Sequence, residues 1–495
     1  MNYVSTRDKE NKVSSSFAIA HGISEEGGLF LPEGIPALSK EDFNKLKDFS
    51  YTERAKYILK YFLTDFSEEE IDKCVNGAYI GTFDNDLPAP ISKLGEKMNI
   101  LELWHGPTCA FKDLALQILP YFLTISAKKI YNGKKSVILV ATSGDTGKAA
   151  LEGFKDVEGT EMVVFYPQNG VSDMQKLQMS SQEGNNVHVC AIKGNFDDAQ
   201  SGVKKIFTDN EFKKLLAENN MEFSSANSIN WGRLCPQIVY YISAYVDMLN
   251  NGEDLENGFN VCVPTGNFGN ILAAYYAKKM GVPINKLICA SNKNKVLTDF
   301  INTGVYDRNR DFYLTSSPSM DILISSNLER LLYLLSNEND AYVNSLQKSL
   351  SECGKYSVND EIKEKIQNEF YGGFCDDAET ANTIKDIFES FGYLIDTHTA
   401  VAVNVYQKYS EAANDERPCL IASTASPYKF AGDVLKAIGK SADGDKFKVL
   451  DDLSLATSTP IPKPIEKLKN AKVRFTEVYS KEDMYTAVKA SLNLM

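Results

Sequence analysis

The stretch SVILVATSGDTGKAALEGF, residues 136–154, runs from an unbroken apolar segment through a glycine-rich turn into a helical pattern. Residues 136–141 are apolar without alternation, which is what a strand covered on both faces requires. The turn carries Ser143, Gly144, Asp145 and Thr146 just ahead of the helical pattern, so it presents free backbone amides to an anion. One strand, one turn and one helix in that order is the unit from which parallel α/β sheets are built.

The same unit recurs further along the chain. Apolar runs at 162–166, 187–192, 259–264, 286–291 and 419–424 are rich in Val, Ile and Cys, and amphipathic segments such as NILAAYYAKKMG separate them. The expected class is therefore α/β, with two parallel-sheet domains and a mostly helical N-terminal segment over residues 1–88. Pro88 and Pro90 mark the boundary. A core over 89–440 follows, with a small subdomain around 135–225 and a helical insertion around 318–400. Residues 441–495 form a C-terminal extension.

Bulk properties remove several classes. The 495 residues carry a formal charge of −13, which argues against nucleic-acid and anionic-membrane partners. Nine cysteines are scattered without a C-x-x-C pair and four histidines without helical pairing, so a metal site is not expected and the thiols read as reduced and cytoplasmic. The opening MNYVSTRDKENK has no signal-peptide core, and no apolar run reaches the length of a membrane span.

Ligands of such sheets collect where strands end and helices begin. Aligned to the P-loop pattern, Gly147-Lys148 puts Thr142 at the first glycine and Ala149 at the magnesium-holding hydroxyl, so ATP does not fit. At 264–271, PTGNFGNI reads G-x-x-G rather than the dinucleotide fingerprint. Gly266 and Gly269 allow close approach there, and the amides of Asn267, Phe268 and Asn270 suit a single phosphoryl group. At 423–430, STASPYKF places Thr424 at a strand's carboxyl end. Lys112, in WHGPTCAFKDLALQ (104–117), lies among Ala110, Phe111, Leu114 and Leu116 at a helix start, where desolvation and the helix dipole favour a neutral, nucleophilic amine. Pyridoxal 5'-phosphate fits the three features together: an aldehyde for Lys112, a phosphate for the glycine turn, and a ring nitrogen for a hydrogen-bonding side chain.

These motifs, with STRD (5–8), EEGGLFLPE (25–33), GNFDDAQ (194–200), NSINWGRLCPQIVYY (227–241), SPSMDILISSNLERLL (317–332) and DTHTAVAV (396–403), resemble the threonine synthase family nearly end to end. Extent and spacing are similar to its long yeast and enterobacterial branch. The resemblance implies a fold-type II pyridoxal-phosphate enzyme (tryptophan synthase β-like), with Lys112 bound to the cofactor and Thr424 at its pyridine nitrogen. It further implies O-phospho-L-homoserine as substrate, with Ser143, Gly144, Asp145 and Thr146 around its carboxylate and Ser228, Asn230 and Arg233 at its phosphate. Domain closure on substrate and a monomer or homodimer are expected. STRD puts Arg7 either near the site or in a structural ion pair. Ser426 departs from the family, which usually has histidine there. A dehydratase or β-replacing synthase of the same fold type, or a non-catalytic relative that binds the cofactor or a phosphorylated metabolite, are the alternatives.

Overall fold

The computed structural model describes residues 1–494 apart from Ser143, Gly170 and Ser172. The larger sheet has six strands in the spatial order Phe370–Phe374, Ile284–Ser291, Phe259–Pro264, Cys419–Ser423, Met98–Glu102 and Ile91–Leu94. The first five are parallel, and Ile91–Leu94 pairs antiparallel at the edge. The smaller sheet is parallel throughout, in the order Val478–Ser480, Val187–Lys193, Thr160–Pro167, Lys135–Ala141 and Met221–Ser224.

Continuous apolar runs become strands here because both faces of each sheet are covered. Ile138 and Val140 share a core with Leu151 and Phe154, whereas Val137 and Leu139 point the other way, to Ile206 and Phe212. In the larger sheet Val261 and Val263 belong to one core, and Cys262 with Ile421 to the other. Both sheets are therefore doubly wound, and their strand ends meet at the cleft between them.

Three N-terminal helices, Lys40–Lys47, Tyr51–Phe62 and Glu68–Tyr79, start at capping boxes in which Ser39, Ser50 and Ser67 exchange hydrogen bonds with Asp42, Glu53 and Glu70. Their buried residues Ile58, Leu59, Phe62 and Val75 join the core that holds Leu114 and Trp231, so this segment buttresses the site rather than folding apart. The mostly helical segment also holds a small sheet. Tyr3–Ser5, Asp8–Val13 and Phe30–Pro32 form an antiparallel sheet. The DKENKV strand is largely exposed and polar, so it lacks the apolar pattern by which strands are read.

The helical region 318–400 also carries strands: Phe370–Phe374 forms an edge of the larger sheet, and Lys355–Ser357 pairs with Val305–Asp307. The C-terminal extension serves both domains. Leu450 and Leu453 pack beneath the larger sheet, while Val478–Ser480 adds a strand to the smaller one and Met484 and Val488 enter its core. Among the described residues no helix is long and apolar enough to cross a membrane, and no group of His, Cys, Asp or Glu is arranged to hold a metal ion.

Candidate active site

Phe259–Pro264, Cys419–Ser423 and Met98–Glu102 are consecutive neighbours in the larger sheet, all running the same way. Their three following turns carry Gly266–Asn270, Thr424 and Lys112. The last two are sewn together by backbone. Phe111 N–H donates to the Thr424 carbonyl at 2.9 Å, Ser426 N–H to the Cys109 carbonyl at 3.0 Å, and Ala110 bridges Ala425. Lys112 then opens the short helix Lys112–Leu116, so its backbone is fixed relative to Thr424. The Thr424 hydroxyl, in a residue only 6% exposed, has no partner among the described residues.

The 264–270 turn is built to hold an anion. The amides of Gly266, Asn267 and Phe268 donate to no acceptor among the described residues, and the helix Gly269–Lys279 adds the free amides of its first turn. Phe268 caps that helix in the left-handed region, φ +62°, a conformation unusual for a phenylalanine and common where backbone is shaped for a ligand. A side chain at Gly266 would place its Cβ 3.0 Å from the Ser319 carbonyl oxygen, so it would press on the strap at 317–327. That strap holds the turn from outside, through Ser325 Oγ to the Gly266 carbonyl at 2.7 Å and Asn327 Nδ2 to the Asn267 carbonyl at 3.0 Å. Asn270 accepts from the hydroxyls of Tyr240 and Tyr241 at 2.7 and 2.5 Å, which turns its Nδ2 away, buried and unpartnered. An unmet buried donor beside unmet amides is the donor set a phosphate needs.

Lys112 makes no hydrogen bond or ion pair with a described residue and stays partly accessible. Its surroundings push its amine down to about 8: burial first, with Asp145 opposing and the cations Lys429 and Arg233 reinforcing. Asp145, the first residue of the helix Asp145–Phe154, is ion-paired to Lys429 at 2.9 Å, with both side chains nearly buried. Burial alone would raise the Asp145 carboxyl, but Lys429 and Lys112 outweigh it and hold it well below the usual carboxylate range. Gly144, at φ +145°, turns the chain into this helix, and a Cβ there would sit 2.2 Å from Gln175 Nε2. Thr146 is half-buried on the first turn. Ser143 lies outside the described residues.

The 227–233 segment leads into the helix Trp231–Asn250 and is bridged to the phosphate turn by Asn327, whose Nδ2 also donates to the Ser228 carbonyl at 3.2 Å. Arg233 is 3% exposed, and its NH1 donates to the Ala226 carbonyl at 2.7 Å while Nε is buried without a partner. No carboxylate among the described residues pairs with it, and burial pushes its guanidinium down to about 10. Asn230 differs from the sequence expectation. Its Nδ2 donates to the carbonyls of Ile19 and Ser225 at 2.9 and 2.8 Å, and its Oδ1 caps Gly232 N–H at 2.8 Å. Its polar atoms are occupied by the protein, which makes it the cap that presents Arg233.

Sequence reasoning gave no role to four buried residues here. Asp113, fully buried, accepts from Thr108 N–H and Thr108 Oγ1 at 2.8 and 2.7 Å, and burial raises its carboxyl to about 6. Lys429 is the partner of Asp145. His398 Nε2 accepts from Ser319 N–H at 3.1 Å, so its proton sits on Nδ1, facing Asp396 Oδ2 at 2.9 Å. All lay inside motifs already singled out; Lys429 and His398 meet Asp145 and Ser319 only through long-range folding, whereas Asp113 and Asp396 have partners close in sequence. Arg7 takes the structural alternative, a two-pronged pair with Glu329 at 2.8 Å on both oxygens.

The reactive amine, the single-anion turn and the hydroxyl of Thr424 converge as pyridoxal phosphate requires, so these residues fit that cofactor. The chain matches the family model for the N terminus of threonine synthase over residues 2–79, that for pyridoxal-phosphate dependent enzymes over 85–424, and that for the threonine synthase C-terminal region over 399–490. It is 42% identical over 455 residues to human threonine synthase-like 1, covering 88% of this chain and 60% of that relative. The chain thus spans about 60% of the length of the first curated relatives it matches. It is 37% identical over 439 residues to the threonine synthase of Pseudomonas aeruginosa, covering 88% of this chain and 90% of that one. The crystal structure of pyridoxal-phosphate-bound threonine synthase from Brucella melitensis superposes with a TM-score of 0.89 at 36% identity, over 99% of each chain. With three family regions covering nearly its whole length and relatives of this identity, the chain belongs to the threonine synthase family of fold-type II pyridoxal-phosphate dependent enzymes.

Proposed function

We propose that this protein converts O-phospho-L-homoserine and water to L-threonine and phosphate, with pyridoxal phosphate held by Lys112, the 266–270 turn and Thr424. The observation that carries the substrate is Arg233, a buried guanidinium with no carboxylate partner among the described residues, on the segment whose Ser228 carbonyl is tied through Asn327 to the 266–270 turn. A desolvated cation without a counter-ion invites a ligand anion, and a phosphorylated substrate supplies one. A dehydratase of unphosphorylated amino acids has no use for a second phosphate site.

When bound, pyridoxal phosphate supplies the electron sink that makes the substrate's C–H bonds acidic. Lys112 Nζ, brought down to about 8, takes and returns protons at the α- and β-carbons near neutral pH. Arg233, with Ser228 from the same segment, holds the γ-phosphate as the C–O bond breaks, and the turn at 144–146 receives the substrate carboxylate. The buried Asp145–Lys429 pair joins the two domains beside Lys112 and limits the water that reaches it.

The test is to incubate the protein with pyridoxal phosphate and O-phospho-L-homoserine and follow phosphate and threonine in one tube. Equal yields are expected. Phosphate accompanied by 2-oxobutyrate in place of threonine would make the protein a phospho-lyase that does not complete hydration.

A further inference from the structure

Four charged groups act on the Lys112 amine: Asp145 and Asp113 draw a proton to it, and Lys429 and Arg233 repel one. Asp113 is engaged by both the amide and the hydroxyl of Thr108. Asp145 has one cationic partner, Lys429 at 2.9 Å, and its other side-chain contacts are long: Ser319 Oγ at 3.3 Å and Gln175 Nε2 at 3.4 Å. The pair is almost dry, with 4% of Lys429 and 5% of Asp145 exposed. A carboxylate so desolvated must have a cation, and if Lys429 were absent the neighbouring cation with no partner of its own is Lys112.

Lys429 is anchored independently of that pairing. Its Nζ also donates to the Thr108 carbonyl at 2.9 Å, in the loop that leads to Lys112. Its turn, Pro427–Phe430, is capped by Ser426, whose own N–H is held by the Cys109 carbonyl at 3.0 Å. Two elements of the larger domain thus aim one ammonium at the first helical residue of the smaller domain. We propose that Lys429 is a positioning residue: by occupying Asp145 it leaves the Lys112 amine without a counter-ion and so free to condense with a carbonyl compound. This rests on the assignment of Lys112 as the cofactor's lysine. In the condensation the amine nitrogen bonds to the carbonyl carbon, and its two hydrogens leave with the carbonyl oxygen as water. An ammonium trapped on Asp145 must first lose a proton, so pairing would suppress the step.

The experiment strips full-length protein of cofactor, remixes it with pyridoxal phosphate between pH 6 and 10, and follows the visible absorbance of the new C=N bond. Wild type should gain rate with a midpoint near the value of about 8 described for Lys112. K429M should move the midpoint up by about one pH unit, which is about tenfold less neutral amine below it. D145N should move it down, and K429M/D145N should recover most of the rate lost in K429M. K429R, which keeps the pair, should resemble wild type. A folded K429M with an unchanged midpoint, or a double variant no faster than K429M, overturns the proposal. If K429M does not fold, D145N decides alone: a midpoint at or above wild type overturns it. K112A separates the underlying assignment, because absorbance that still develops there removes Lys112 as the cofactor's lysine, whatever the protein makes from a phosphorylated substrate.

Discussion

Residues 5–8 and 227–233 each bring an arginine to the central core and treat it in opposite ways. Arg7 is closed off by Glu329, which takes two of its donors at 2.8 Å and also accepts from Thr6 Oγ1 at 2.5 Å. Arg233, more deeply buried, is given one backbone carbonyl and an unpartnered Nε. Either segment taken alone could be read as a site. What separates them is neutralisation: a fold that supplies a carboxylate has used the charge itself, and one that withholds it has kept the charge for something that arrives later.

The comparison is tested most severely at the centre of the cleft. K112A should abolish both the visible cofactor band and turnover while leaving the fold intact, since the side chain bonds to no described residue. Residual turnover at even one hundredth of wild type would move the chemistry elsewhere. Next, R233M should raise KM for O-phospho-L-homoserine by about 100-fold, corresponding to about 3 kcal/mol of charge-assisted hydrogen bonding, with the cofactor band unchanged. A KM within threefold of wild type would place Arg233 alongside Arg7 as a structural residue.

E329Q is the converse. It should lower stability by about 2–3 kcal/mol in urea titrations, the lower part of the cost of breaking a buried pair, because Arg7 is 23% exposed. KM and the cofactor band should not move. A raised KM without a stability loss would put the 5–8 segment in the site.

Much of this was readable in the chain because strands covered on both faces announce themselves. All six long apolar runs are strands, and the turns carrying Asp145, Gly266–Asn270 and Thr424 follow three of them; the Lys112 loop follows a strand that was missed. Strands missed from sequence had physical reasons to be quiet. Met98–Glu102 buries Asn99 and Glu102 within its five residues, Phe370–Phe374 contains Gly372 and Gly373, and Asp8–Val13 lies exposed at an edge. In the site, residues whose role is local were legible: the lysine at a helix start, the glycine turn, the hydroxyl at a strand end. Residues defined by a distant partner were not. Lys429 is separated from Asp145 by nearly the whole catalytic core, and no local pattern distinguishes it from a solvated lysine. Asn230 is a motif residue whose Nδ2 is taken up by the carbonyls of Ile19 and Ser225.

Asp113 carries the smallest prediction and the one that bears most directly on burial as a cause. Its folded carboxyl stands at about 6 against an ordinary value of 3.8, raised by burial despite two hydrogen bonds from Thr108. Protonation is therefore favoured in the folded state, so the group's contribution to stability is fully present below about pH 4 and is lost as pH rises through about 6. Across that window wild type should lose about 2 kcal/mol relative to D113N, which has no proton to give up. Asparagine can accept from Thr108 N–H and donate to Thr108 Oγ1, so the variant should fold. Urea midpoints at pH 4.5 and 7 decide it. Parallel pH profiles for the two proteins would mean that the Thr108 bonds offset the cost of burial.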